Sequence, residues 1–287
     1  PMILTLTAAT ALLLASYTGV AGLVAQRFTS AQRKAPDTRV AQEVRFAARD
    51  GQATIAAAYL PVAEPRGAVV FVHGKDACRG DELKGGNMAA LVARFNEAGL
   101  AVLMIDLRGH GSSSRARLTY GQRERFDVLG AVDWLRAQGH GRIGVLGASM
   151  GAASTLLAAA DEPAICCVVA DSAFCDFGQM IERQFRRLSR LPGIVLPGAL
   201  AIGRALTGVT LQTVRPLDAA ARLVGRPCLM IHSAGDRFIP SADAERLAAA
   251  AGGELWITDS QGHIGSYRAQ PAAYTERVLT FFGRHLA

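Results

Sequence analysis

Gly147-Ala148-Ser149-Met150-Gly151 follows directly on the apolar run Ile143-Gly144-Val145-Leu146 and opens a stretch, Met150 to Ala160, of helical character. A run this short and this apolar reads as a strand buried on both faces. A serine between two glycines at a strand-to-helix turn has the Gly-x-Ser-x-Gly pattern of a nucleophile elbow. The glycines have a physical reason. The turn is strained and its two elements pass close together, so side chains at the flanks would collide with neighbouring backbone. Ala148 and Ala152 keep the surroundings small. Ser149 then stands at the edge of a sheet as a candidate nucleophile.

The same rhythm continues on both sides. Upstream, Ala68-Val69-Val70-Phe71-Val72 and Ala101-Val102-Leu103-Met104-Ile105 are further buried strands. Helical stretches follow them at about Asn87 to Ala98, ended by Gly99, and about Arg123 to Gln138, ended by Gly139. Downstream come strands at Ile165 to Ala170, Cys228 to His232 and Leu255 to Thr258, with helices at Asp243 to Ala251 and Ala272 to His285. Val44 to Ala48 and Ala53 to Leu60 alternate around Asp50-Gly51, a hairpin signal. Strand and helix in alternation predict an α/β fold with a mostly parallel sheet and helices on both faces. The rhythm breaks between about residues 172 and 215, where helical pieces, Pro192 and Pro197 occur without a strand. This segment is expected to form a small helical cap over the strand ends, where ligands of such sheets bind.

A serine hydroxyl needs a positioned base. Of six histidines, His263 is the best placed, in the loop Gln261-Gly262-His263 between the last strand and the last helix. Asp236, in Gly235-Asp236-Arg237 after the strand ending near His232, is the preferred orienting acid. The chain order is then Ser, Asp, His, as the elbow class requires. Asp171, after the preceding strand, and Asp259 remain rivals, and Asp236 alone could equally be a helix-capping loop residue.

With these residues in view, the chain resembles the α/β-hydrolase superfamily over nearly all of residues 40–287, especially its bacterial esterase and lysophospholipase-like branches. The match lies in Val72-His73-Gly74, in Asp106-Leu107-Arg108-Gly109-His110-Gly111-Ser112-Ser113, in the elbow from Gly147 to Gly151, and in Gly235-Asp236 with Gly262-His263. The resemblance implies an oxyanion hole made by the backbone N–H groups of Met150 and Lys75. It gives His73 a structural or hole-shaping role, and residues 106–113 the task of ordering the loop beside the site. Two departures stand out. Ala152 occupies a position that is often glycine, and Lys75-Asp76-Ala77-Cys78-Arg79-Gly80-Asp81 is charged rather than glycine-rich. That loop is either solvated surface or a contact for a polar leaving group.

On this reading the chain is expected to cleave carboxylic esters through an acyl-enzyme on Ser149. The same machinery would serve a peptidase or an acyltransferase, and a non-catalytic binding protein of the same fold is a more distant alternative. Aspartate at the elbow would be needed for dehalogenase or epoxide hydrolase chemistry, and Ser149 argues against both.

Composition narrows the remaining classes. At 287 residues, half of them hydrophobic and 19% charged, the chain is globular. Its net charge of +7 comes without an aromatic-interleaved basic platform, zinc-finger spacing or helix-turn-helix pattern, so nucleic acid is not an expected partner. Five cysteines, two of them adjacent at Cys166-Cys167, do not form a disulfide framework, and no Cys/His cluster has metal spacing. No metal or cofactor is expected.

From Met2 to Ala25 there is no charged side chain, and Arg27, Arg33 and Lys34 follow. This length can cross a hydrocarbon core. Residues 1–25 are therefore expected to be a membrane anchor, with a cleaved export signal as the alternative, and the basic flank favours a cytoplasmic catalytic domain. Residues 26–39 read as a linker, and 40–287 as the hydrolase domain. In the cap, Phe174, Phe177, Met180, Ile181, Phe185 and Leu188 recur at helical spacing among Arg183, Arg186, Arg187 and Arg190. The apolar stripe either packs the cap on the core or forms an acyl-chain pocket under a basic rim, suited to a lipid-like ester.

Overall fold

The structure, a computed structural model, describes residues 2–31 and 42–286. Its strands are β1 (Gln42–Ala47), β2 (Thr54–Leu60), β3 (Gly67–Val72), β4 (Leu100–Ile105), β5 (Ile143–Ala148), β6 (Ile165–Asp171), β7 (Cys228–Gly235) and β8 (Glu254–Gln261). They form one sheet in the order β1-β2-β4-β3-β5-β6-β7-β8. Only β2 runs against its neighbours, and the pairs from β4 through β3 to β8 are parallel. The helices are α1 (Met2–Thr29), α2 (Met88–Glu97), α3 (Arg125–Ala137), α4 (Met150–Asp161), α5 (Phe177–Ser189), α6 (Val195–Thr207), α7 (Pro216–Ala221), α8 (Ser241–Ala251), α9 (Ser266–Ala269) and α10 (Pro271–Leu286).

The two-residue period of the strands sorts the core into two layers. Val70, Val72, Leu103 and Ile105 face α3, α4, α7 and α8. Val69, Phe71, Val102 and Met104 face α2 and α10, where Phe95 meets both Phe71 and Phe282 edge to face. Side chains on both faces of the sheet are covered, which is why the central strands carry no polar alternation. The hairpin turn at Gly51 takes φ +67°, and Asn87 caps α2 by accepting from the N–H of Ala90.

After β6 the chain leaves the sheet. Helices α5 and α6 lie over the strand ends, and α7 then returns to pack on α4 and α8. Arg183 pairs with Asp243 at 3.3 Å, while Gln184 and Arg187 donate to the carbonyls of Phe238 and Arg237. Two of the cap arginines thus fasten α5 to the core, whereas Arg186 and Arg190 are exposed. The side chain of Leu188 lies outside the described residues.

The first helix departs from the expected layout. α1 continues to Thr29, four residues past the boundary read from the sequence, so residues 26–29 are helical; residues 32–39 of the expected linker lie outside the described residues. Thr10–Thr29 is long and apolar enough to cross a membrane, with a mean hydropathy of 1.2. Thr18 and Thr29 return their hydroxyls to the carbonyls of Leu14 and Ala25, which removes much of their polarity. Yet the second half of this helix packs on α6. Ala21 is buried with Phe185, Val195 and Ala199, and the Tyr17 hydroxyl donates to the Ile194 carbonyl while accepting from the N–H of Gly198. The second half of α1 is thus joined to the rest of the chain through α6.

Candidate active site

Parallel strands bring their C-terminal ends to one edge, and four loops meet there: after β3, β5, β7 and β8. Ser149 follows β5 with φ +52°, in the left-handed region that L-residues rarely enter. Its N–H is held by the Asp171 carbonyl at 2.8 Å. Both flanking glycines are required by their surroundings. A Cβ at Gly147 would sit 2.5 Å from the Gly151 carbonyl oxygen, and one at Gly151 would overlap the carbonyls of Val72 and His73 at the end of β3.

His263 Nε2 lies 2.7 Å from Ser149 Oγ, and its Nδ1 lies 2.7 Å from Asp236 Oδ2. The acid fixes the tautomer. A carboxylate can only accept, so Nδ1 carries the proton and Nε2 is left to accept from the serine hydroxyl. Asp236 itself is bound on both sides. Its Oδ1 accepts the backbone N–H groups of Phe238 at 2.7 Å and Ile239 at 3.0 Å. Burial opposes its charge, but hydrogen bonds from His232 and His263 and from the backbone outweigh that and hold the carboxyl far below the usual range.

His232 was read from the sequence only as the end of a strand. It is fully buried, and its Nε2 donates to the Ile239 carbonyl at 2.9 Å while lying 3.4 Å from Asp236 Oδ2. Asp236 is therefore flanked by two imidazoles. The signal available was the spacing: a histidine four residues ahead of the acid at the end of the same strand. The rival acids do not take this place. Asp171 is buried and accepts from the Ser172 hydroxyl and Tyr274 OH, and Asp259 is exposed on β8.

The loop after β3 is held by two histidines. Leu107 N–H donates to His73 Nε2, which leaves Nδ1–H to donate to the Gly74 carbonyl at 2.7 Å. In a trans peptide the next N–H points the opposite way, so His73 sets the direction of the Lys75 N–H. The Gly74 backbone abuts Ser149: a Cβ there would meet Ser149 Cβ at 3.3 Å. His110 Nε2 accepts from the Asp76 N–H, and burial together with neighbouring His73 pushes this ring down to about 4. Met150 is the first residue of α4, where helix N–H groups lack intrahelical partners and carry partial positive charge.

The charged loop divides into an inward part and a part that faces the cavity. Arg79 is turned inward, pairing with Glu43 and lying 3.4 Å from Asp106, while Asp106 accepts the N–H groups of Arg79 and Ser112. Only Lys75 and Asp76, paired at 2.6 Å, reach the cavity. Behind them Glu82 is fully buried. Burial, assisted by Asp106 and Asp81, outweighs the Gly80 N–H bond and pushes its carboxyl up to about 8. A folded-state value above the unfolded one gives stability that is present at low pH and is lost as pH rises from about 4.5 toward 8. Glu82→Gln should reduce this slope. The stability of the wild type to urea is expected to fall by a few kcal/mol between pH 5 and pH 8, at about 1.4 kcal/mol per unit of separation. The variant should fall distinctly less, keeping only the part due to other buried acids such as Asp127, which burial pushes up to about 7.

A cavity of about 620 Å³ opens above Ser149 and Met150. Phe174, Phe177, Met180 and Ile181 form its apolar roof, so the cap stripe both packs and lines. Val24 and Phe28 of α1 complete the enclosure, a contribution no local sequence signal announced.

A profile of the family described as serine aminopeptidase, S33, matches residues 63–210, just over half of the chain. The chain belongs to this family. Its fold is that of the α/β-hydrolases. Among relatives, an uncharacterized Bacillus subtilis protein, YqkD, is 31% identical over 214 residues, covering 71% of this chain and 69% of its own length. The uncharacterized YfhR of Salmonella typhi is 26% identical over 272 residues, 86% of this chain and 82% of that one. Among solved structures, the esterase Pf2001 of Pyrococcus furiosus superimposes with a TM-score of 0.74 at 21% identity, covering 90% of this chain and all of its own. Est1E of Butyrivibrio proteoclasticus, solved with ferulic acid bound, gives 0.67 at 20% identity, over 85% of this chain and 99% of that one. The family match takes in the β3 loop, the elbow and both cap helices.

Proposed function

We propose that this α/β-hydrolase cleaves carboxylic esters through an acyl-enzyme on Ser149, with His263 as base and then acid and Asp236 as the group that orients it. The observation that carries the reading is the pair of 2.7 Å contacts, Ser149 to His263 and His263 to Asp236. Ser149 Oγ attacks the ester carbon while its proton passes to His263 Nε2, and the C=O bond opens to an oxyanion. The N–H groups of Met150 and Lys75 meet that charge, each worth roughly 2.7–4 kcal/mol in the transition state. The C–O bond to the alcohol then breaks as Nε2–H returns its proton to the leaving oxygen. Water attacks the acyl-enzyme by the same route, releasing the acid and restoring Ser149. Only a neutral imidazole accepts the first proton.

The family's name raises aminopeptidase activity as the second reading. A peptide's terminal ammonium would face Arg27 and Lys75 in this cavity, and the one carboxylate among the described lining residues, Asp76, is already paired with Lys75. An ester with an uncharged acyl part suits such walls better. The apolar N-terminal helix supports attachment to a membrane, a cleaved export signal being the alternative, and the basic residues Arg27, Arg33 and Lys34 favour the cytoplasmic side for the domain.

The test is labelling of the full chain by a fluorophosphonate, then rates on p-nitrophenyl esters beside aminoacyl p-nitroanilides. Label on Ser149 with ester rates at least a hundredfold above anilide rates is the expected result. Faster anilide cleavage would make it a peptidase, and absence of label would leave a fold without this chemistry. Hydroxylamine added to the ester assay traps acyl transfer if it occurs.

A further inference from the structure

We propose that the second half of α1 is the outer wall of the acyl subsite, and that the site is consequently selective for esters of long aliphatic acids. This rests on the esterase reading and names its substrate class.

The helix is fastened at both ends of the cavity. Near its middle, Tyr17 bridges to α6 through the Ile194 carbonyl at 3.0 Å and the Gly198 N–H at 3.1 Å. At its C-terminal end, the Phe28 carbonyl accepts from Tyr120 OH at 2.7 Å, the Thr29 carbonyl accepts from the Leu118 N–H at 2.8 Å, and Ser30 accepts from Arg117 at 2.9 Å. Tyr120 stands in the same cavity as Ser149, so the latch sits directly beside the nucleophile. Between these two fixings Val24 and Phe28 face the roof residues Phe177 and Ile181. Leu23 stands at the mouth, 70% exposed.

The chemistry of that enclosure selects an occupant. Apart from Arg27, Ser30, Ser189, Lys75, Asp76 and Ser149, the described lining is aliphatic and aromatic, and Asp76 is its one carboxylate. Arg27, which has no carboxylate within ion-pair distance among the described residues, stands with Leu23 as the charged part of the α1 wall. An extended alkyl chain can give up water along this whole length. Each buried methylene contributes up to about fourfold in binding at the usual apolar transfer energy. The gain is realised only while α1 is seated, since Val24 and Phe28 are the surfaces it would otherwise lack.

The experiment uses the full chain and p-nitrophenyl butyrate, octanoate and dodecanoate. Wild type is expected to show kcat/KM on octanoate at least tenfold above butyrate. Val24→Trp, which places a ring in the subsite, should lower the octanoate-to-butyrate ratio tenfold or more. Leu13→Trp, on an exposed part of the same helix, should leave the ratio as it was. An unchanged ratio in Val24→Trp, or an equal fall in both variants, overturns the proposal. If Val24→Trp loses fluorophosphonate labelling through misfolding, Phe28→Ala decides: the wider subsite should move the preferred chain length upward from octanoate, and no movement overturns the proposal. Failure of the esterase reading looks different, because then wild type itself takes no label at Ser149.

Discussion

Ser149→Ala is expected to lower ester turnover by about a millionfold, the loss seen when the nucleophile is removed from a serine triad. The size follows from what the hydroxyl does. In the proposed mechanism every later step, from the oxyanion to the acyl-enzyme, is built on the bond formed by Ser149 Oγ, and no other described hydroxyl lies within hydrogen-bond distance of His263 Nε2. Alanine is also well suited to the position sterically, because the Ser149 side chain makes no cap to α4. The variant should therefore fold, keep its melting temperature within a few degrees and bind substrate. Steady-state assay with p-nitrophenyl octanoate, beside circular dichroism of the same sample, measures both. Residual activity within a hundredfold of wild type would mean that another group attacks the ester.

Asp236→Asn should cost about ten-thousandfold, although it changes one atom. The backbone N–H groups of Phe238 and Ile239 donate to Oδ1, so an asparagine must place its carbonyl oxygen there. Its amide nitrogen then faces His263 Nδ1 and His232 Nε2. A donor opposite Nδ1 forces the proton of His263 onto Nε2, where it points at the serine and cannot accept its proton. The lesion is one of tautomer rather than of shape. It is checked by kcat at neutral pH, with the imidazole proton resonances read by NMR. A variant within tenfold of wild type would show that the acid merely caps its loop.

Most of the fold was legible because the central strands are buried on both faces and therefore read as unbroken apolar runs, as in Val69-Val70-Phe71-Val72. The positions of Ser149, Asp236 and His263 were legible for a related reason: each follows a recognisable strand, and parallel strands must deliver their ends to one edge. What could not be read is what long-range packing decides. Arg79 sits in a loop whose charges suggest solvent, yet Asp106 and Glu43, distant in sequence, draw it inward. His232 looks like any strand residue until β8 and the loop after it bring His263 to the far side of Asp236. The second half of α1 has the composition of a lipid-facing segment, and nothing local reveals that Tyr17, Val24 and Phe28 have partners nearly a hundred residues away or more.

The double fastening of that helix bears on how the protein must be handled. Cutting off a greasy leader is a customary way to obtain a tractable enzyme, and here it would strip the Tyr120 hydroxyl of its acceptor and leave the alkyl slot open to water along one flank. Such a trimmed protein would keep Ser149, His263 and Asp236, but on the reading proposed above it would lose its ability to measure the length of what it cuts. For the same reason a protease that removed the leader during export would be altering the catalyst, not merely releasing it.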